Sequence, residues 1–161
     1  MPQSYLTLRE TIPFEELSYG CGGIKLFRPS ELNEGQVGYS VSSDGKSLCT
    51  GEQGAWRPNW LVIGYETACG DPLFIDNHDS ALPVFTAMHG EGDWEPKPVA
   101  VSFEAFAKIL AEFARIAHER SNPVALDANP LPAHQRDAFL AHTTELNGGL
   151  DAGFWAVLLE C

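Results

Sequence analysis

Trp60-Leu61-Val62-Ile63-Gly64-Tyr65 is a short, nearly continuous apolar run, and its reading decides the fold. It is too short for a buried helix, and turn residues bound it. It therefore reads as a strand covered on both faces. Ala68-Cys69-Gly70-Asp71 is a turn, and Pro72-Leu73-Phe74-Ile75-Asp76 is a second strand. Asn77-His78-Asp79-Ser80 turns the chain again, before a third strand at Pro83-Val84-Phe85-Thr86-Ala87-Met88. Gly90-Glu91-Gly92-Asp93 breaks that strand, and Pro98-Val99-Ala100-Val101 is a fourth. Short strands joined by tight turns pair as an antiparallel meander.

Downstream of the meander, Ser102 is a helix N-cap, with Glu104 placed where the helix dipole favours negative charge. Phe103, Phe106, Leu110, Phe113 and Ala117 recur at spacings of three and four, so one helix face is apolar and packs across the sheet. His118 and Arg120 fall near its C-terminus, where positive charge is favoured. Residues 121–130 contain two prolines and read as a linker. A second helix is expected over residues 133–146, capped by Asn147-Gly148-Gly149. The apolar segment at residues 153–159 is either an added strand or a piece docked on the core.

Upstream, Pro13-Phe14-Glu15-Glu16-Leu17 reads as a short helix over residues 13–19, closed by Gly20-Cys21-Gly22-Gly23. Ile24-Lys25-Leu26-Phe27 is a strand, and Pro29-Ser30-Glu31-Leu32 starts a helical turn. Residues 38–59 are rich in Ser, Gly, Asn and Pro and read as loop.

The 161 residues suit one domain, and 44% of them are hydrophobic, as in an ordinary globular protein. The charge is far from ordinary, with 10 Lys+Arg against 22 Asp+Glu and a net charge of -12. That field repels nucleic-acid backbones and anionic membranes, and it speeds encounter with basic partners. The first ten residues lack a basic segment followed by an apolar one, and no run is long enough to span a bilayer. A cytoplasmic location is expected. Cys21, Cys49, Cys69 and Cys161 show no CxxC spacing and read as free thiols.

Three catalytic readings compete with plain solvated turns. Asp76, His78 and His89, with Asp79, Glu91 and Asp93 nearby, carry metal-ligating groups and suggest a metal-dependent hydrolase. Cys69 with His78 or His89 as base is a thiol reading, but Glu66 and Asp71 flank it with the wrong charge for a reactive thiolate. Asp71 with Asp76, or Glu91 with Asp93, is a carboxylate pair of the hydrolytic kind. No phosphate-binding glycine motif stands in strand-to-helix context. No pattern requires a cofactor, and an enzyme is not expected.

Charge placement is the stronger signal. Between Arg57 and Lys97 there is no Lys or Arg, while Glu66, Asp71, Asp76, Asp79, Glu91, Asp93 and Glu95 all fall there. All seven read as exposed turn or strand-end residues, and an acidic rim is expected where turns cluster. Trp94, between Asp93 and Glu95, is the aromatic suited to anchor a protein contact, while Trp60 reads as core. Asp79, Glu91, Asp93, Trp94 and Glu95 are the candidate contact residues.

The order of these motifs resembles the SUKH superfamily, the domain of fungal Smi/Knr-type cell-wall regulators and of many bacterial proteins. The residues that carry the resemblance are Gly22-Gly23, the strand at 60–65, Gly70-Asp71 with Leu73-Phe74-Ile75-Asp76, Pro83-Val84, and Val99-Ala100-Val101-Ser102-Phe103 with Phe106 and Leu110. It is best over residues 60–110, weaker over 13–27, and does not reach the last forty or so. Many members carry Asn where Cys21 stands. The resemblance implies an α+β fold with a central, mostly antiparallel sheet and flanking helices. The SUKH-like unit is then expected over residues 1–120, while residues 121–161, outside the resemblance, read as a C-terminal helical extension with a terminal apolar segment packed on the same domain. The resemblance also implies a non-catalytic immunity protein or related regulator whose partner is a basic nuclease-type toxin. A homodimeric scaffold is the remaining alternative.

Overall fold

Six strands lie side by side in chain order, each antiparallel to the next. They are β1 (Glu16–Tyr19), β2 (Gly22–Leu26), β3 (Trp60–Glu66), β4 (Pro72–Asp76), β5 (Val84–Thr86) and β6 (Lys97–Ala100). The helices are α1 (Gln3–Arg9), α2 (Phe103–Ala117), α3 (Pro123–Ala128), α4 (Ala133–Leu146) and α5 (Gly153–Leu158), with one 3-10 turn at Glu34–Gln36. The computed structural model describes residues 3–90 and 92–160. The fold is α+β, as the run of short strands and the amphipathic helix require. No described helix is long and apolar enough to cross a membrane.

The alternation of strand side chains sorts the apolar residues onto two faces. Leu61, Ile63, Leu73, Ile75, Val84 and Val99 belong to one core, with Phe103, Phe106, Ile109, Leu110 and Phe113 of α2. Tyr5 of α1, Phe139 of α4, and Trp155 and Leu158 of α5 complete that side. Trp60, Val62 and Phe74 form a second core with Trp56 and Ala87. Tyr39 and Trp94 pack against it. Helices thus cover one face of the sheet, while residues from the 37–59 loop and the β5–β6 connection cover the other.

Two glycines are required by the pairing. A side chain at Gly64 would collide with the Lys25 carbonyl oxygen, and one at Gly23 with the Leu17 carbonyl oxygen. Both clashes are with neighbouring strand backbone, which cannot move aside.

Residues 121–160 pack on the core through Phe139, Trp155 and Leu158 and are tied to the end of β6 by side-chain hydrogen bonds. Buried Asn147 donates its side-chain N–H to Val99 O at 3.1 Å, and its side-chain oxygen accepts the Val101 N–H at 3.2 Å. Trp155 donates its ring N–H to the same Val99 O at 3.3 Å. The Ser102 cap of α2 forms as the sequence requires, accepting the Ala105 N–H at 3.0 Å.

Four local expectations are corrected. Residues 16–19 are a strand rather than the end of a helix. The Gly20–Cys21 pair makes a two-residue hairpin, with Gly20 at φ 53°, and pairs Tyr19 with Gly22. The first described helix lies earlier, at Gln3–Arg9. The linker contains α3, because Asn122 caps the Ala125 N–H at 2.9 Å and Pro123 fits a helix's first turn. The terminal apolar segment, for which the sequence leaves two readings open, is not an added strand but a helix docked on the core. Finally, Cys21 is disulfide-bonded, so the reading of four free thiols fails there, whereas Cys49 and Cys69 are free. Sequence spacing does not report which sulfurs the fold brings together.

Gly64→Ala is expected to lose about 3 kcal/mol of stability in urea denaturation, from strand displacement. Tyr5→Phe is expected to act in the opposite direction. The Tyr5 hydroxyl is buried without a hydrogen-bond partner among the described residues, so its removal should add about 1 kcal/mol. Burial, outweighing the nearby Arg9 charge, also raises the Tyr5 phenol above its ordinary value of 10.0. The neutral phenol's share of stability is therefore full below that value and is lost as the pH rises beyond it. The Phe variant should lack that alkaline component, and pH-dependent melting curves above pH 9 check it.

Candidate functional site

Glu66 closes β3 and is only 7% exposed. Its carboxylate accepts the backbone N–H groups of Ala68, Cys69 and Asp71 at 2.9, 2.8 and 3.0 Å. Turn N–H groups have no ladder partner, and one anion satisfies three of them at once. This corrects the expectation that all seven acids of the stretch are exposed: Glu66 holds the β3–β4 turn together. Half-buried Asp71 accepts both the backbone N–H and the ring Nδ1–H of His89, at 3.0 and 2.7 Å. At the other end of β4, Asp76 accepts the His78 N–H and Asp79 the Ala81 N–H, each at 2.9 Å. Those two aspartates shape the β4–β5 turn.

This geometry divides the sequence-derived sites. Asp76 and His78 sit at one end of β4, while His89 is pinned to Asp71 at the other, about 17 Å of strand away. The alternative metal triad is not assembled, and among the described residues no three His, Cys, Asp or Glu side chains are grouped to hold a metal. Asp71 and Asp76 are separated in the same way and form no carboxylate pair. Cys69 is exposed, and among the described residues no hydrogen bond joins its thiol to His78 or His89. Glu91 lies outside the described residues, so its pairing with Asp93 has no structural account.

The contact candidates do not form one rim either. Asp79 belongs to the β4–β5 turn, whereas Asp93, Trp94 and Glu95 belong to the β5–β6 connection, which leaves the sheet from the opposite end. Alternate turns of a meander necessarily fall at alternate ends. Asp79, Asp93 and Glu95 are exposed, and none forms an ion pair among the described residues. Trp94 is half-buried, and its backbone N–H donates to Gly54 O at 2.7 Å.

Trp94 stands on an aromatic floor whose hub is Trp56. The Trp56 ring centroid lies 5.1 Å from Tyr39, 5.2 Å from Trp94, 5.3 Å from Trp60 and 4.8 Å from Phe74. Its ring N–H donates to Trp60 O at 3.2 Å. Burial, with a smaller contribution from the Asp71 charge, raises the Tyr39 phenol above its ordinary value, so it remains a neutral hydroxyl. Above this floor is a hollow of about 300 Å³, lined by Tyr39, Glu52, Gly54, Trp56, Asp93 and Trp94 among others. Among the described residues no Lys, Arg or His lines it. Sequence reading missed Tyr39 and Glu52 as site residues, because the 37–59 loop has no periodicity to say which face it covers. Trp56 was visible only as an aromatic beside the acidic stretch. Gly54, at φ 80° and with no room for a side chain beside Asp93, was the local signal that the loop is closely held.

A larger cleft of about 580 Å³ lies between α5 and the sheet end formed by the β3–β4 turn and β5–β6. Met88, Pro98, Phe154, Val157 and Leu158 supply most of its apolar wall.

Comparison of the chain with protein-family models, with curated proteins and with solved structures returns no match.

The turn's dependence on Glu66 is testable without any ligand. Glu66→Ala is expected to cost about 2–3 kcal/mol, since three N–H groups lose a charged acceptor. Asp79→Ala, at an exposed turn, should cost under about 1 kcal/mol. Equilibrium urea denaturation of both variants checks the difference, and equal costs would overturn the structural role assigned to Glu66.

Proposed function

We propose that this chain is a non-catalytic protein-binding module that holds a basic partner against the acidic hollow beside Trp94. The observation that carries this reading is the hollow itself. Its floor is three aromatic rings, its edge carries Glu52 and Asp93, and among the described residues its lining holds no positive charge. A lysine or arginine side chain over such a floor gains cation–π attraction together with the carboxylate field. The net charge of -12 draws a basic surface in from a distance. The half-buried Trp94 has little side-chain entropy left to lose on binding, which favours it as an anchor.

The resemblance of residues 60–110 to the SUKH superfamily supports a more specific reading. On that reading the chain is an immunity protein or related regulator, and the partner is a basic nuclease-type toxin. Neutralisation would then rest on occlusion by a bound acidic surface, with no bond made or broken by this chain.

The test is calorimetric titration of the chain with the toxin domain encoded beside its gene. Tight one-to-one binding that weakens steeply between 50 and 500 mM salt is expected. Asp93→Lys and Trp94→Ala should each weaken it about 30-fold or more, the size of a hot-spot loss. Asp79→Lys, at the far end of the sheet, should have a much smaller effect. Affinity unaltered by changes at Asp93 and Trp94 in folded variants would remove the hollow from the interface. Salt-independent binding would remove the charge argument.

A further inference from the structure

The cleft beside α5 differs chemically from the acidic hollow. It exists because α5 has only six residues and leaves the last part of the helix-covered sheet face without a lid. Apolar side chains are left open there, with Met88 45% and Val157 66% exposed. Its volume of about 580 Å³ falls in the range of small-molecule sites.

The charges on its lining are not equivalent. Three carboxylates are already satisfied within the fold. Glu66 accepts its three turn N–H groups, and Asp71 accepts from His89. Asp151 accepts the Gly153 N–H at 2.8 Å. Lys97 is the one cation on the lining among the described residues, and there it forms no ion pair. Its ammonium rests 3.4 Å from the Met88 sulfur, a weak acceptor. Lys97 is exposed and its ammonium is hydrated, and no carboxylate among the described residues pairs with it. Directly across the β5–β6 ladder, Thr86 pairs with Lys97. Thr86 also lines the cleft, and its hydroxyl is buried without a hydrogen-bond partner among the described residues. An ammonium outside any ion pair and a buried hydroxyl thus stand side by side on the lining of an apolar trough.

We propose that this cleft binds a small amphiphile of the alkyl monocarboxylate class. The carboxylate pairs with Lys97, and the tail lies along Met88, Pro98, Phe154, Val157 and Leu158. The tail supplies affinity through buried methylenes, and the head selects the sign of charge. This site is independent of the acidic hollow, so failure of either proposal leaves the other intact.

The experiment is calorimetric titration of the purified full chain with octanoate, decanoate, octan-1-ol and octylammonium, each below its aggregation concentration. One-to-one saturable binding is expected for the carboxylates. Each added methylene should tighten it about fourfold, so decanoate should bind roughly 15-fold tighter than octanoate. Octanol and octylammonium should bind more weakly than octanoate. Lys97→Gln should erase the preference for octanoate over octanol and leave octanol unchanged. Val157→Glu, at an exposed position, should weaken every member while the melting temperature stays near that of the parent. Absence of saturable binding, binding insensitive to tail length, or an unchanged head preference in Lys97→Gln overturns the proposal. So does tighter binding by a peptide with a free apolar C-terminus, which would assign the cleft to a protein tail.

Discussion

The pairing of β3 with β4 places apolar side chains on both faces of the sheet at its centre. Leu61, Ile63, Leu73 and Ile75 point one way, and Trp60, Val62 and Phe74 the other. Neither face can be left to water, because each aromatic or branched side chain forgoes about 1.5–3 kcal/mol if it stays exposed. The sheet must therefore be covered twice. The amphipathic α2 meets one demand, with α1, α4 and α5 filling around it. The long 37–59 loop meets the other by inserting Trp56 against Trp60 and Phe74. That second cover is irregular, and its irregularity leaves the hollow beside Trp94.

The same constraint explains how the acidic residues divide. Where the chain must turn tightly, a carboxylate is drawn inward to satisfy turn N–H groups, as Glu66 and Asp71 do. Where it runs over the second core, as at Asp93 and Glu95, nothing inside the fold needs the charge and the side chains remain open to solvent. Acidity is thus partly architecture and partly surface, and composition does not separate the two. The binding proposals rest on charged groups that form no ion pair among the described residues: Glu52 and Asp93 around the hollow, and Lys97 at the cleft. Groups already satisfied, such as Asp151 on Gly153, are poor candidates for contact however they are placed in sequence.

Much of the architecture was legible in local pattern. The apolar run at 60–65, the turns at 68–71 and 77–80, and the spacing of Phe103, Phe106, Leu110 and Phe113 gave the central strands and the main helix. The ends were less legible. Residues 16–19 are short and mixed, and only pairing with β2 makes them a strand. Residues 123–128 hide a helix behind a proline that the linker reading took for a breaker. Cys21 looked like a free thiol because no nearby cysteine shares a recognisable spacing with it. Its disulfide overturns the free-thiol reading at that position.

From the sequence by itself came the α+β class, the antiparallel order of the central strands, the cap at Ser102 and the acidic net charge. These follow from periodicity, turn chemistry and net charge, which are local or additive. Tertiary structure alone decided that His89 joins Asp71 rather than Asp76 and His78, and that Glu66 is buried. It also decided that Asp79 stands apart from Asp93, and that the terminal apolar segment is a helix hung from Val99. Each of these depends on which end of a strand a turn occupies, or on a partner tens of residues distant, and no local pattern encodes that. The apolar run at Trp60 announced a strand buried on both sides; only the fold revealed that one of its covers is a loop with a hollow in it.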